Sequence, residues 1–350
     1  MRARLCLLLL LVLVGVGVTA PAASSHPWAV APAPAPAAPK KVVSRFAILV
    51  DARSGAVLWS RGATAPRAPA SLTKMLTALL VRATMPLDAV MVTTRDAAKT
   101  SPSKLALKPG QRITVGQALQ ALMIVSANDM AVQLAHSAAG SVARFEQAMN
   151  AESRLLGLRQ SSWRSSNGLD VSGQRSSAFD LAILARAVLL DPWLARVVRT
   201  PKVVFTTPDG QRHELWAHSR FLREYKGAIG VKTGFTADAG HCLAAAATRN
   251  GRRLIAVVLN SSDPAGDAAR LMDWGFGPGR GASSGVRLPL YVAPMGVRTL
   301  LASPPAPTPT LPPAPAPAPA PQAASAQLRD RLARWPADNR MAAGAGAAGV

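Results

Sequence analysis

The stretch Ala70-Ser71-Leu72-Thr73-Lys74-Met75-Leu76-Thr77-Ala78-Leu79-Leu80 sets a serine and a lysine three residues apart at the head of an apolar segment that runs to Val81. Read as the first turn of a helix, that spacing puts both side chains on one face, within reach of each other. A serine hydroxyl is a weak nucleophile until a neighbour takes its proton, and a lysine does so once its pKa falls from about 10 toward 7. Burial and a second cation nearby would supply that shift, and a helix N-terminus favours negative charge developing beside it. The same S-x-x-K spacing recurs at Ser101-Pro102-Ser103-Lys104, but Lys108-Pro109-Gly110 comes too soon after it for a helix, so this copy reads as loop. Only the first copy has the scaffold the chemistry needs.

Two further signals join it. Ser126-Ala127-Asn128 follows the apolar Leu122-Met123-Ile124-Val125, and Lys232-Thr233-Gly234 sits inside a strand from Gly230 to Phe235. With Ser71 as nucleophile and Lys74 as base, Ser126 can relay a proton between Lys74 and the leaving group. The Asn128 amide can hold either a substrate carbonyl or the lysine. Lys232 supplies the second cation and, with the Thr233 hydroxyl, binds a substrate carboxylate, while Gly234 lets a substrate backbone lie against the strand edge. The backbone N–H groups of Ser71 and Phe235 form an oxyanion hole. Another S-x-N, Ser165-Ser166-Asn167, reads as coincidence; K-T-G occurs once.

Around these signals, Phe46–Asp51 and Ala56–Ser60 read as strands flanking the turn Ala52-Arg53-Ser54-Gly55. Val115–Ser137 is helical in pattern with a break near Ser126–Asn128, and Val142–Leu156 is a further helix. Ser177–Leu190 opens with the capping box Ser177-Ala178-Phe179-Asp180 and stops before Pro192. Lys202–Thr206 and Gln211–Leu215 flank Pro208-Asp209-Gly210 as a hairpin. Strands come next at Ile229–Phe235, His241–Thr248 and Arg253–Ser261, the last two joined through Asn250-Gly251, and a helix from Ala265 to Trp274 closes the domain. Strands, then helices, then strands, then a helix indicate an α+β domain over residues 43–277, large enough for a full core.

The ends are of a different kind. Arg2 and Arg4 precede an unbroken apolar run from Leu5 to Val18 and then Ala20-Pro21-Ala22, the pattern of a secretory signal peptide over residues 1–23. The run is too short to span a bilayer. Residues 24–42 are a Pro/Ala-rich linker, 278–301 a weakly structured extension, and 302–350 a Pro/Ala-rich low-complexity tail in which a short basic helix over 326–335 could lie on an anionic membrane. Cys6 leaves with the signal, so Cys242 is alone and reads as a buried strand residue. No metal-ligand cluster forms among His26, His136, His213, His218 and His241, so neither metal nor cofactor is expected. The formal net charge is +22, and +20 without Arg2 and Arg4. In an exported chain whose basic residues form no dense block, this fits an anionic cell wall or membrane better than nucleic acid.

S-x-x-K, S-x-N and K-T-G in that order resemble the penicillin-recognising serine hydrolases. The flanks are similar to the D-alanyl-D-alanine carboxypeptidases among the low-molecular-weight penicillin-binding proteins, through Ala47-Ile48-Leu49-Val50-Asp51, Pro69-Ala70-Ser71-Leu72-Thr73-Lys74-Met75, Ser126-Ala127-Asn128-Asp129, Ser166-Asn167-Gly168-Leu169-Asp170 and Gly230-Val231-Lys232-Thr233-Gly234-Phe235-Thr236. The resemblance implies a helical subdomain beside a five-stranded antiparallel sheet flanked by helices. It implies an acyl-enzyme on Ser71, removal of the terminal D-alanine from peptidoglycan stem peptides, and β-lactam antibiotics as inhibitors. The signal pattern over residues 1–23 places the protein on the cell-wall side of the membrane, periplasmic or extracellular. Where several members carry an all-β domain and a membrane-binding helix, this chain has its Pro/Ala spacer.

Other readings compete. A DD-endopeptidase also cleaves after D-alanine and differs only in the group on the far side of the scissile bond. A serine β-lactamase needs a glutamate for deacylation, and Glu146-Gln147-Ala148-Met149-Asn150 falls in a predicted helix rather than a loop. Gly281-Ala282-Ser283-Ser284-Gly285 has the G-x-S-x-G form of a Ser-His-Asp hydrolase, but no histidine lies beyond it. A catalytically silent wall-binding protein on the same fold is the non-enzyme alternative.

Overall fold

The structure, a computed structural model, describes residues 37–289. The signal peptide, most of the linker, the tail and its basic helix lie outside the described residues. In chain order the elements are β1 (Phe46–Asp51), β2 (Val57–Arg61), a 3-10 turn (Ala70–Thr73), α1 (Lys74–Thr84), β3 (Val90–Val92), α2 (Arg95–Lys99), β4 (Arg112–Thr114), α3 (Val115–Ile124), α4 (Asn128–Ala139) and α5 (Val142–Leu155). Then come α6 (Ala178–Leu190), α7 (Pro192–Val198), β5 (Lys202–Thr206), β6 (Arg212–Trp216), α8 (Arg220–Glu224), β7 (Ala228–Thr236), β8 (Gly240–Arg249), β9 (Arg252–Leu259) and α9 (Pro264–Phe276).

Five strands make one antiparallel sheet in the order β2-β1-β9-β8-β7, with β7 at an edge. Its central strands are covered on both faces, which is why they read as continuous apolar runs rather than as alternation. Ala47, Leu49, Leu254, Ala256 and Val258 pack against Leu271 and Met272 of α9. The intervening Ile48, Val50, Ile255 and Val257 join α1, α3, α4 and α6 in the larger core. Two two-stranded ribbons, β3-β4 and β5-β6, stand apart from the sheet.

Most boundaries obey their sequence signals. Thr114 and Gln117 form a capping box at α3, and Pro192 opens α7, with Asp191 as its cap. Ser177 caps α6 by accepting from Asp180 N at 3.1 Å, but the expected reciprocal arm is missing. The Asp180 carboxylate instead accepts from Gln160 N and Ser161 Oγ, tying the preceding loop to the helix. Ser71 does not sit on an α-helix: it lies on the 3-10 turn, and α1 begins at Lys74. Residues 284–288 run beside the β1-β2 turn, with Leu288 N bonded to Gly55 O at 2.8 Å and the Leu288 side chain buried.

The segment entering β1 is fastened to α9 by one carboxylate. Asp267, fully buried, accepts from Val43 N and Ser44 N at 2.8 Å each, from Ser261 Oγ at 2.7 Å and from Arg270 Nη2 at 2.8 Å. Removing it takes the acceptor from Val43 N, Ser44 N and Ser261 Oγ, while Arg270 Nη2 keeps Asp263 at 3.2 Å. Asp267→Ala is expected to cost about 3 kcal/mol in a denaturant titration, whereas Asp273→Ala, whose carboxylate is mostly exposed, costs about 1 kcal/mol or less.

Candidate active site

Lys74 occupies the centre. Its side chain is fully buried, and Nζ lies 2.8 Å from Ser71 Oγ, 2.6 Å from Asn128 Oδ1 and 2.6 Å from the Asn167 carbonyl oxygen. Three separate elements meet there: the turn before α1, the first residue of α4, and the loop between α5 and α6. The Asn128 amide has a fixed orientation, since its Nδ2 donates to the Pro102 carbonyl at 2.6 Å and its oxygen must then face the lysine. Of the two partners the sequence left open for Asn128, the structure gives the lysine.

Burial, first, and then the charge of Lys232 push the Lys74 pKa well below the ordinary lysine value, against a smaller opposing pull from Asp129. Lys232 is itself buried on β7, and burial lowers it to about 7. Its Nζ donates to the Thr233 carbonyl at 2.9 Å. A neutral amine has two N–H groups and one lone pair. Two of the Lys74 neighbours, an amide oxygen and a backbone carbonyl, can only accept. The lone pair of neutral Lys74 therefore faces Ser71, the one neighbour of the three with a proton to give.

Two glycines fix the turn that carries Ser71. A Cβ on Gly168, whose φ is +86°, would lie 2.0 Å from the Ala70 carbonyl oxygen, and one on Gly234 would lie 3.0 Å from Ser71 N. The glycine of K-T-G is needed by the turn itself as well as by any ligand. Thr77 Oγ1 donates to the Ser166 carbonyl at 2.6 Å and locks the same loop to α1.

An open cleft of about 390 Å³ lies in front of Ser71, with Ser126, Thr233, Gly234 and Phe235 in its walls. Ser126 lies between α3 and α4 with φ +62°, and its Oγ is buried without a hydrogen-bond partner; it makes no bond to Lys74. Phe235 is exposed and its ring rests on His241, centroids 4.5 Å apart.

The structure adds residues that sequence reasoning misses. The Asn167 carbonyl belongs to the S-x-N read as coincidence; a backbone oxygen has no sequence signature beyond the turn-forming Asn167-Gly168 pair. Pro102 and Ser103, from the second S-x-x-K, form a cleft wall because the Asp129 carboxylate accepts from Leu105 N and Ala106 N and Asn128 N donates to the Ser103 carbonyl. His218 and Arg220, just before and at the start of α8, line the cleft too. Burial, then Lys232 and Arg223, hold His218 below its usual pKa. Cys242 is buried in β8. Among the described residues no group of three His, Cys, Asp or Glu side chains could hold a metal ion.

Residues 33–263 match the family described as D-alanyl-D-alanine carboxypeptidase. The chain belongs to that family. It is 31% identical over 241 residues to the D-alanyl-D-alanine carboxypeptidase DacF of Bacillus subtilis, covering 67% of this chain and 62% of that one. To DacB2 of Mycobacterium tuberculosis it is 33% identical over 246 residues, 68% and 84% of the two chains. A crystal structure of a D-alanyl-D-alanine carboxypeptidase from Mycobacterium tuberculosis H37Rv superposes with a TM-score of 0.67 at 31% identity, over 73% of this chain and 99% of that one. The Streptomyces K15 DD-transpeptidase gives 0.65 at 29% identity, over 69% and 99%. The chain spans about three fifths of the length of the DacF and Escherichia coli DacC relatives.

Burial lowers Lys232 to about 7 and, with the charge of Lys232, holds Lys74 well below the ordinary lysine value, so between about pH 7 and 10 the unfolded chain binds more protons and stability rises with pH. Unfolding free energies measured across that range are expected to climb, and Lys232→Met flattens the climb without removing it, because Lys74 contributes its own part.

Proposed function

We propose that the protein is a serine-type D-alanyl-D-alanine carboxypeptidase that removes the terminal D-alanine from peptidoglycan stem peptides, with residues 43–277 as its catalytic domain. The observation that carries this reading is the seat of Lys74, two acceptor-only partners and a lone pair left for Ser71. Family membership and the cleft that opens on Ser71 support it.

In this mechanism neutral Lys74 takes the Ser71 proton as Oγ attacks the carbonyl carbon of the penultimate D-alanine. The N–H groups of Ser71 and Phe235 hold the oxyanion. Collapse breaks the C–N bond, and the departing amine receives its proton from Lys74 through Ser126, whose unpartnered hydroxyl borders the cleft. Water, deprotonated by Lys74, then cleaves the ester and frees Ser71. Thr233 meets the substrate carboxylate. Lys232, bonded to the Thr233 carbonyl, acts on it by charge and keeps Lys74 neutral. Asn128 serves by positioning Lys74. Penicillins acylate the same hydroxyl, and because ring opening leaves the amine tethered, the adduct persists.

The sequence of residues 1–23 supports export to the wall side of the membrane. A peripheral membrane contact through the basic tail segment is part of the same reading. No helix among the described residues is long and apolar enough to cross a membrane.

Intact-protein mass after incubation with a penicillin is expected to show one added drug mass on the mature chain and none on Ser71→Ala, with release of D-alanine from a D-Ala-D-Ala peptide lost in parallel. Release that survives in Ser71→Ala would overturn the assignment. Asn128→Asp sets a carboxylate beside Lys74 and raises its pKa, so the pH profile of acylation moves up and the rate at neutral pH falls about tenfold or more.

A further inference from the structure

A carboxylate has two oxygens to satisfy, and at the Thr233 end of the cleft only one hydroxyl is so far assigned to it. Buried Lys232 gives its Nζ to the Thr233 carbonyl at 2.9 Å and acts on a ligand through space. The wall beside Thr233 is the segment His218-Ser219-Arg220 that leads into α8. Ser219 caps α8, its Oγ accepting from Leu222 N at 3.2 Å, and it touches a small gap whose other walls include Lys232 and Thr233. The cap fixes the backbone that carries His218. Of the two basic side chains in this segment, Arg220 is held by Glu224 at 2.9 Å and faces Asp263 at 3.8 Å. The His218 side chain is exposed to the cleft and has neither hydrogen bond nor ion pair among the described residues. His241 lies farther along, opposite Phe235 and stacked on its ring. No aspartate or glutamate lines the cleft.

We propose that His218 meets the terminal carboxylate of the substrate beside Thr233 and so sets a preference for peptides with a free C-terminus, an inference that rests on the carboxypeptidase reading above. Burial first, then the charges of Lys232 on β7 and Arg223 on α8, hold the imidazole below its usual pKa, so without substrate it is neutral at pH 7. An incoming carboxylate is the opposite charge that this wall lacks. It favours the imidazolium, and His218 takes its proton from solvent as the substrate arrives, giving a charge-assisted hydrogen bond. A peptide amidated at its C-terminus brings no charge and draws no proton.

The test compares release of D-alanine from a peptide ending in D-Ala-D-Ala with release of D-alaninamide from the same peptide amidated at its C-terminus. The full mature chain, His218→Gln and His218→Arg are assayed side by side, and the wild type is expected to favour the free acid. His218→Gln is uncharged and raises KM for the acid about tenfold with kcat little changed, while kcat/KM for the amide stays as in the wild type. The acid-over-amide preference shrinks by the same factor, and His218→Arg, a fixed cation, restores it. Calorimetry of the acid peptide binding to Ser71→Ala near pH 7, in buffers of different ionisation heat, is expected to show proton uptake that shrinks when His218→Gln is added. A preference that His218→Gln leaves unchanged, or that is lost in Arg220→Gln instead, would overturn the proposal. A wild type that cleaves neither peptide overturns the carboxypeptidase reading itself, so the two failures are distinct.

Discussion

Everything in the catalytic half of the molecule is arranged so that one amine can be dry. A buried ammonium without a counterion is costly, and the chain answers by surrounding Lys74 with oxygens that carry no net charge and by placing a second lysine where it makes protonation worse. That requirement explains why the Lys74 contacts come from distant segments. No single helix can supply an amide, a backbone carbonyl and a hydroxyl around one nitrogen, so α1, α4 and the loop before α6 must be held together. The larger core, the Thr77 bond and the crowding of Gly168 against Ala70 hold them.

The same requirement sorts what the sequence could tell. Side chains that define the chemistry announce themselves: Ser71 and Lys74 by spacing, Lys232 by its strand, Asn128 by following a break in an apolar helix. The five strands were legible because each is an apolar run bounded by turn residues, and the doubly covered sheet makes those runs continuous. The short β3-β4 ribbon and α2 and α8 were not, since elements of three to five residues carry too little periodicity. A backbone carbonyl such as that of Asn167 is invisible in principle. The loop holding Pro102 and Ser103 reads as a spurious motif, because what ties it beside the cleft is the Asp129 carboxylate two dozen residues later. The turn at Ser71 also packs closely on Gly168 and Gly234 of two other segments, which its local sequence does not reveal.

Charge is distributed unevenly in kind as well as in number. Near Ser71 the lysines are buried and their pKa values are pushed down. At the end of the sheet where the β1-β2 turn lies, arginines such as Arg186 and Arg287 keep their charge, because a guanidinium is weakly hydrated, cannot be deprotonated, and can satisfy its donors on carbonyls. Lysine is the residue whose protonation the fold can adjust; arginine is the one whose charge it can rely on.

The pairing of β1 with β9 has a consequence for the life of the chain before it is folded. Phe46 lies opposite Leu259, so the first strand of the sheet takes its place only beside one of the last. Until some two hundred residues beyond β1 have been made, that strand has just β2 for company, a two-stranded ribbon that is marginal by itself. A polypeptide built this way leaves its main sheet open through most of its synthesis. The order of strands thus sets a late point in synthesis before which the sheet cannot close.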